Sequence, residues 1–395
     1  MQKKSLITIF LVVFIDLVGF GMVIPILPYY AKSYGGSGFT MGLLMMSYSG
    51  MQFLFSPFWG RLSDRIGRRP VILTCITGIG ASMILLGLAP NLTLLFIARL
   101  LAGFFGANIS AASAYIADIT PPDQRAKGMG LIGAAFGLGF LFGPALVGIL
   151  GKLGILAKWG YGSVGFMAAT LALINLLFAF SSLQEPKLNE EIRKEHRHKG
   201  GREVWRNTLA SPQRAIPIFL FFLVTFAFSQ METTFALYLL ARFHLDAEHA
   251  SFILALMAVI MVLVQGGAIG RLSKKWGEIK LAQSGTLLMG SGLLLASFAP
   301  SLAFFVFFLC LLALGSSLTN PSLSALLSKN SGSDVQGLSM GVFQSAGSLA
   351  RMFGPPLGGL LFDHYGIQSP FVGAAFLFFV GMGTLFAKQE VFRQK

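Results

Sequence analysis

The chain has 395 residues, of which 54% are hydrophobic and only 12% are charged. About a quarter of the residues in an ordinary soluble domain are charged, so this composition excludes a disordered protein, a coiled coil and a typical cytosolic enzyme. The 30 lysines and arginines against 16 acidic residues give a formal charge of +14, which indicates nucleic-acid binding only if the basic side chains share one exposed face.

Apolar stretches long enough to cross a membrane, which takes about 20 residues, follow one another along the whole chain. We predict twelve, named spans 1 to 12, at about 5–30, 40–60, 70–90, 93–117, 128–151, 160–183, 215–240, 250–270, 280–299, 302–328, 337–362 and 369–388. Soluble helices keep a polar face and these stretches have none, so a large soluble helical core is the weaker alternative. Span 1 runs past Pro25 and Pro28 without a small-residue cleavage site, so we expect it to be retained rather than removed as a signal peptide.

The basic residues predict the orientation of these spans. With the N-terminus inside and the spans alternating, 24 of the 30 basic residues fall in inside segments and four in outside segments. Lys and Arg are concentrated on the cytoplasmic side of membrane proteins, so both termini are predicted in the cytoplasm, with the chain in the plasma (inner) membrane. The positive charge is then dispersed over helix ends, and no nucleic-acid partner is expected.

The chain divides into two similar halves. A hydrophilic stretch at 184–214 predicts a solvated cytoplasmic linker between an N-terminal bundle at 1–183 and a C-terminal bundle at 215–395. Four short motifs recur about 210 residues apart and in register: Gly60–Ser63 with 270–273, Ala89-Pro90 with 299–300, Met129-Gly130 with 340–341, and Gly143-Pro144 with 354–355. Duplicated six-helix halves are typical of secondary transporters with a substrate site near the membrane midplane. We therefore predict an all-α membrane protein of two pseudo-symmetric six-helix bundles.

Metal and disulfide chemistry is not indicated by the sequence. His196 and His198 lie in the linker, but no other residue nearby has metal-ligand spacing. Cys75 and Cys310 lie in apolar spans, where small buried residues are the ordinary explanation.

The loop after span 2 carries the most specific motif. It reads Gly60-Arg61-Leu62-Ser63-Asp64-Arg65-Ile66-Gly67-Arg68-Arg69-Pro70, and a merely basic cytoplasmic loop would explain its arginines but not its glycine–aspartate–glycine framework. The segment closely resembles the signature loop of the major facilitator superfamily, which implies that fold for all twelve spans. The resemblance implies a cytoplasmic latch, in which Asp64 docks at a helix end of the other half and Arg65 or Arg68 pairs with Asp118. The gating candidates are Gly60, Arg61, Asp64, Arg65, Gly67, Arg68, Arg69 and Asp118.

Glycine and proline recur inside spans 5 and 11. Close helix packing is one explanation, and a hinge between the halves is the other, because proline bends a helix. The hinge candidates are Gly139, Gly143, Pro144, Gly354 and Pro355. The span 5 pattern resembles the motif of the antiporter branch of the superfamily, which implies export by exchange.

Three further segments resemble tetracycline exporters and their multidrug relatives. They are Asp16-x-x-Gly19-x-Gly21 through Pro25-x-x-Pro28, Met51-Gln52-Phe53-Leu54 with Pro57, and Ala114–Thr120 at the end of span 4. Tetracycline exporters usually carry further carboxylates inside spans 3 and 9, whereas residues 71–90 and 280–299 here contain no acid. A lipophilic or cationic drug is therefore at least as good a substrate as tetracycline itself.

Four charged residues lie well inside the spans, namely Asp16, Arg99, Glu232 and Arg351. A charge at the membrane midplane costs at least about 2.5–3.5 kcal/mol, so each is a candidate for proton coupling. At about 1.5 Å per residue of helix, Asp16 lies at a depth where it can meet Arg99, and Glu232 at a depth where it can meet Arg351. The alternative to proton coupling is that these are two purely structural ion pairs. Glu232, in the apolar setting between Phe228 and Phe235, is the preferred proton carrier and Asp16 the second choice. By resemblance, Arg99 matches the arginine of the antiporters that assists proton transfer.

We therefore expect a proton-coupled secondary transporter that exports a lipophilic or cationic drug-like molecule by alternating access. The candidate cavity residues are Gln52, Asn108, Phe136, Phe140, Phe226, Gln230, Tyr238, Asn320 and Gln344, with Phe104 as a further aromatic. Core packing, lipid contact and hydrogen bonds between helices are the competing explanations for them.

The expected partners are a small-molecule substrate, protons and the lipid bilayer. The proton gradient is the energy source, no cofactor is expected, and we expect a monomer. One alternative is a major facilitator transporter of a metabolite, sugar or lipid, in either direction. The other is a membrane enzyme or sensor, which is disfavoured because the spans carry no nucleophile–base pair and the chain has no Gly-x4-Gly-Lys-Ser/Thr motif for ATP.

Overall fold

A computed structural model of the chain describes residues 2–120, 125–186, 206, 208–331 and 336–392. Within those ranges the regular secondary structure is entirely helical, which confirms the predicted fold class. His196, His198 and most of the predicted linker lie outside the described residues, and the side chains of Arg125 and Lys127 are likewise not described.

The first half of the chain contains eight described helices. They are α1 (Gln2–Ser33), α2 (Gly38–Ile66), α3 (Arg68–Gly87), α4 (Leu92–Gly106), α5 (Ile109–Ile119), α6 (Arg125–Lys152), α7 (Ile155–Trp159) and α8 (Gly162–Ser182). Span 4 is thus built from two helices, α4 and α5, which meet at Ala107 and Asn108. The short α7 lies outside any predicted span.

The second half contains seven described helices and two short irregular turns. The helices are α9 (Pro212–Phe243), α10 (Ala247–Leu263), α11 (Ile269–Trp276), α12 (Glu278–Ser297), α13 (Leu302–Lys329), α14 (Gln336–Tyr365) and α15 (Ser369–Ala387). A π-helical turn at Val264–Ala268 joins α10 to α11, and a 3-10 turn covers Gln389–Phe392.

Every predicted span corresponds to one of these helices or to two consecutive ones. Ten of them, within the described ranges, are long and apolar enough to cross a membrane by length and composition. The two that fall short, α2 and α14, carry more glycine, serine and charged residues. A membrane helix can keep such residues where it faces other helices rather than lipid.

Two compact units emerge from the packing of the helices. The first comprises the described residues of 1–196 with 244–255, and the second comprises those of 197–243 with 256–395. In the first unit α1 packs on α6 and α3 packs on α8; in the second, α9 packs on α14 and α12 packs on α15. The same helix pairs therefore form in both units, as the internal repeat predicts. The exact limits of the predicted bundles and linker stay a prediction.

Glycines in α1 and α6 allow the two helices to approach closely. A Cβ atom at Gly143 would lie 2.5 Å from the carbonyl carbon of Gly21, and one at Gly21 would lie 2.6 Å from the carbonyl oxygen of Gly139. The helix α6 continues through Pro144. These contacts support the packing explanation for Gly139 and Gly143, since backbone meets backbone there.

The second unit repeats this arrangement between α9 and α14. A Cβ atom at Gly354 would lie 2.8 Å from the carbonyl oxygen of Phe226 and would also collide with Ser229. One at Gly358 would lie 2.8 Å from the Cα of Gln230. The helix α14 continues through Pro355 and Pro356, so the hinge role predicted for Gly354 and Pro355 stays a prediction.

Candidate functional site

A carboxylate held by two amides lies in the middle of the first unit. The Nδ2 of Asn108, in the join between α4 and α5, donates to one oxygen of Asp16 at 2.9 Å. The Nδ2 of Asn175, on α8, donates to the other oxygen at 2.8 Å. Because charge in an apolar bundle is costly, these two charge-assisted hydrogen bonds explain how α1 can carry an aspartate there.

A cavity of about 40 Å³ lies beside this carboxylate. Its wall includes Asp16, Phe20, Tyr48, Gly106 and Asn108. A water molecule needs at least about 10–15 Å³ of such space and two or more polar partners, so the cavity has room for water beside Asp16 and Asn108.

Arg99 lies deep in the same unit but does not pair with Asp16. Its side chain is 1% exposed, its guanidinium lies 4.6 Å from the ring centre of Tyr48, and its Nε and Nη1 atoms have no hydrogen-bond partner. No ion pair between Arg99 and Asp16 occurs among the described residues. The predicted ion pair is therefore wrong. Asp16 accepts hydrogen bonds from two asparagine amides instead, and Arg99 makes a cation–π interaction with the ring of Tyr48.

The second buried carboxylate lies in the second unit. Glu232 is on α9 and is partly buried, and Arg351 on the neighbouring helix α14 acts on it electrostatically. The prediction that these two charges meet stays a prediction. Among the described residues no hydrogen bond ends at the Glu232 carboxylate, in contrast to the two that hold Asp16.

The candidate cavity residues of the first half have several different surroundings. Asn108 lines the cavity beside Asp16. Gln52 donates its Nε2 to the carbonyl oxygen of Gly106 at 2.9 Å, which is a hydrogen bond between helices. Phe104 and Phe136 pack against the apolar core of the unit. Phe140 meets the ring of Phe20, at the cavity wall, edge to face at 6.0 Å.

Two candidates of the second half lie in packed positions. Tyr238 is fully buried, donates to the carbonyl oxygen of Ser297 at 3.2 Å and stacks 5.1 Å from the ring of Phe305. Gln230 is also buried, against α14. Both side chains therefore pack inside the unit in this structure, and a cavity-lining role for them finds no support there.

Three further candidates complete that set. Phe226 stacks on Phe222 at 5.7 Å, and Asn320 donates to the hydroxyl of Ser316 at 3.2 Å. The Gln344 side chain is exposed. Their proposed contact with substrate stays a prediction.

Arg68 organises the signature loop in the first unit. Its Nε donates to Asp118 at 2.8 Å, and its Nη1 contacts Asp64 at 2.5 Å and the hydroxyl of Ser63 at 2.7 Å. The predicted pairing of Arg68 with Asp118 is confirmed. Asp64 pairs with Arg68 of its own loop, and its docking at the other half stays a prediction.

The remaining residues of the loop have simpler roles. Gly67 has a φ of +105°, a conformation that glycine adopts without strain. Arg61 donates to the carbonyl oxygen of Pro57 and Arg69 to that of Phe180. Arg65 is exposed. A Cβ atom at Gly60 would lie 3.8 Å from the hydroxyl oxygen of Ser110.

Glu185, just after α8, completes the loop and was missed by the sequence analysis. Its two carboxylate oxygens accept hydrogen bonds from the backbone N–H groups of Arg68 and Arg69, at 2.6 and 2.8 Å. The N-terminus of a helix favours negative charge, so Glu185 offsets the two arginines at the start of α3. Its only sequence signal is an isolated acid directly after an apolar span.

The second unit contains an ion pair at the equivalent place with its charges reversed. Glu278 is equivalent to Arg68 and Lys329 to Asp118, and the Lys329 Nζ lies 2.5 Å from the Glu278 carboxylate. Ser273, equivalent to Ser63, donates to Glu278 at 2.9 Å, and Gly277, equivalent to Gly67, has a φ of +75°. The two halves have therefore kept the position of this ion pair and exchanged its acid and base.

The two ion pairs, Arg68–Asp118 and Glu278–Lys329, should contribute differently to the free energy of unfolding because they differ in burial. The side chains of Arg68 and Asp118 are 8% and 16% exposed, whereas that of Lys329 is 63% exposed. We expect Asp118→Ala to lower the free energy of unfolding by about 3 kcal/mol and Lys329→Ala by less than about 1 kcal/mol. Denaturant unfolding in detergent measures both, and equal losses would contradict this reading of the repeat.

Sequence comparison places these features in a family. The sequence profile of the Major Facilitator Superfamily matches residues 9–282 and 266–395. The chain is 31% identical to Multidrug resistance protein 2 of Bacillus subtilis (strain 168), over 98% of this chain and 96% of that protein. It is also 31% identical to the class C tetracycline resistance protein of Escherichia coli, over 90% of this chain and 88% of that protein.

Solved structures agree with the fold. The human organic anion transporter MFSD10 (TETRAN) superposes with a TM-score of 0.73, covering 97% of this chain and 99% of that one at 25% identity. A bacterial homologue of the human lysosomal transporter Spinster superposes with a TM-score of 0.79 at 16% identity, covering 99% and 97%, which speaks to the fold alone. The signature loop, the duplicated helix pairs and these matches over nearly the whole length agree, and the chain belongs to the major facilitator superfamily.

Proposed function

We propose that this chain is a proton-coupled transporter that exports a lipophilic or cationic drug-like molecule by alternating access. The observation that carries the proposal is one carboxylate inside each helical unit, Asp16 in the first and Glu232 in the second. The names of the relatives, multidrug resistance and tetracycline resistance proteins, support drug export.

The coupling rule follows from the chemistry of a carboxylate in an apolar bundle. An ionised carboxylate there needs a positive partner or donors to offset its charge. A proton or a substrate cation can each meet that need, so the two compete for one group. Proton entry from outside then displaces the cation outward, and cation binding from inside displaces the proton.

Glu232 is the carrier that we favour. Asp16 already accepts two hydrogen bonds from amides, so its surroundings are arranged for one particular geometry. Glu232 has Arg351 nearby and no described hydrogen bond, so a cation can approach it with less rearrangement. Asp16, with its cavity, is the second choice.

An organic anion is the second candidate substrate. Arg99 is almost fully buried, and two of its nitrogens have no hydrogen-bond partner. An anionic group would satisfy those donors, because guanidinium binds carboxylates through paired N–H groups. The likeness to a human organic anion transporter at 25% identity also supports an anionic substrate.

The remaining features of the proposal concern setting and assembly. The protein acts as a monomer in the plasma membrane with both termini in the cytoplasm, which the distribution of basic residues supports. The proton gradient supplies the energy, and neither an enzymatic activity nor a cofactor is part of the proposal.

Proton release from the purified protein tests the proposed exchange. In a weakly buffered detergent solution with a pH indicator, tetraphenylphosphonium should release protons on binding, whereas a lipophilic aromatic carboxylate such as naphthoate should not. Release on cation binding agrees with the exchange rule. Binding of the cation without proton release would contradict it, and binding of naphthoate alone would favour the organic-anion candidate.

A further inference from the structure

Asn175 is a buried polar residue of the first unit to which the proposed function assigns no role. It is fully buried on α8, a helix with no charged residue. Its Nδ2 donates twice, to the Asp16 carboxylate at 2.8 Å and to the backbone carbonyl oxygen of Val12 at 2.9 Å. Its own Oδ1 is buried without a hydrogen-bond partner. One amide thus ties α8 to α1 and keeps an unused acceptor beside Asp16.

The other amide on Asp16 is placed differently. Asn108 donates to the opposite carboxylate oxygen and lines the cavity. Its Oδ1 is not among the buried atoms that lack a partner. Only the Asn175 amide therefore combines a bond to Asp16, a bond to the backbone of α1 and an unpaired acceptor.

The protonation state of Asp16 decides which arrangement of this amide is satisfied. An ionised carboxylate only accepts hydrogen bonds, and it meets two donors here. A protonated carboxyl has an O–H that needs an acceptor, and the Asn175 Oδ1 is an unpaired buried acceptor on a group already touching Asp16. To accept from it, the amide must turn, and turning moves Nδ2 away from the carbonyl oxygen of Val12.

We propose that Asn175 is a positioning residue that converts protonation of Asp16 into release of the hydrogen bond between α8 and Val12 of α1. The inference rests on the proposed function only in that Asp16 takes up a proton during transport. It makes Asn175 the link between the proton site and the packing of two helices, whichever carboxylate binds the substrate.

Among the side chains that the structure describes, few other titratable groups face Asp16. Cys75 on α3 interacts with it electrostatically, and Tyr48 on α2 shares its cavity. The charged residues of α6 are confined to its two ends, and α8 has none. Arg99 on α4 lies against Tyr48. A change in the titration of Asp16 on altering Asn175 can therefore be assigned to the amide.

Infrared titration of the Asp16 carboxyl group tests the first half of the inference. The protonated C=O band, assigned by its loss in Asp16→Asn, is followed from about pH 4 to about pH 10. Asn175→Ala removes the charge-assisted hydrogen bond to the ionised form and the weaker, neutral one to the protonated form, so the midpoint should rise by about one pH unit. Asn175→Ser keeps one donor and should shift it less, which covers the case in which the alanine variant does not fold. Ser82→Ala is the matched control, because Ser82 is buried in the same unit and donates only to Gly78 of its own helix.

Hydrogen exchange of the α1 backbone tests the second half. Asp16→Asn presents a donor and an acceptor, as a protonated carboxyl does, so exchange around Val12 should increase several-fold over that of the unaltered protein. Asn175→Ala should show the same increase alone, and adding Asp16→Asn to it should cause no further change.

The outcomes separate this inference from the proposed function. A midpoint that stays unchanged in both Asn175 variants, or additive effects in hydrogen exchange, would overturn the inference while leaving proton-coupled export intact. Asp16 that never titrates would overturn it together with any role of Asp16 in coupling. A shifted midpoint and non-additive exchange in a protein that transports no cation would uphold the inference and reject the proposed function.

Discussion

Replacing Glu232 by Gln is expected to remove the pH dependence of cation binding. If a proton and the cation compete for Glu232, affinity in the unaltered protein should rise with pH, by on the order of 10-fold to 100-fold between the protonated and ionised limits. Glutamine cannot ionise, so in Glu232→Gln the affinity should stay at the low value at every pH. Equilibrium binding of tetraphenylphosphonium across the pH range measures both.

Two further variants make this result specific to Glu232. Glu390 lies in the exposed 3-10 turn after α15, so Glu390→Gln should bind as the unaltered protein does. Asp16→Asn should change the pH dependence less than Glu232→Gln. If Asp16→Asn abolishes the pH dependence and Glu232→Gln preserves it, Asp16 is the carrier and our assignment is wrong.

Replacing Gly143 by Ala should destabilise the first unit strongly. The added methyl group would lie 2.5 Å from the carbonyl carbon of Gly21 and 2.7 Å from its Cα. These are backbone atoms, so no change of rotamer relieves the overlap and α1 must move away from α6. Overpacking of this kind typically costs 1–3 kcal/mol, and here we expect about 3 kcal/mol, with an earlier loss of monodisperse protein on heating.

The same helix offers the matched control for that change. Gly137 lies on α6, and a Cβ atom there meets no atom within 4 Å. Alanine is favoured over glycine in a helix by about 0.5–1 kcal/mol, so Gly137→Ala should be neutral or slightly stabilising. Equal losses in the two variants would show that Gly143 serves flexibility of α6, as a hinge would, rather than the close contact with α1.

Several features could be predicted from the sequence because they depend on local patterns. The length and apolarity of each segment are enough to identify the spans, and every helix from α1 to α15 except the short α7 overlaps a predicted span. The resemblance of the signature loop narrowed the partner of Asp118 to Arg65 or Arg68, and the structure shows that it is Arg68. By contrast, Glu278 and Lys329 belong to no such motif, and their charge-reversed pair emerged only from the folded unit.

The partners of the buried charges could not be predicted in the same way. Depth along the helices placed Asp16 and Arg99 at similar levels, but depth does not give the direction in which a side chain points. The donors to Asp16 come from 92 and 159 residues away, and Tyr48 rather than an acid receives Arg99. Likewise, the sequence predicts Tyr238 as a cavity residue, but its side chain is fully buried between helices.

The sequence by itself therefore determined the membrane class, the duplicated halves, the family and the small set of charged residues on which transport should depend. Only the tertiary structure decided which side chains hold those charges and which aromatic residues pack in the core. The physical reason is that a helix in lipid is apolar on every face, since both lipid and neighbouring helices accept apolar side chains. The apolar pattern then carries no signal for helix rotation, and rotation is what brings Asn108 and Asn175 to Asp16.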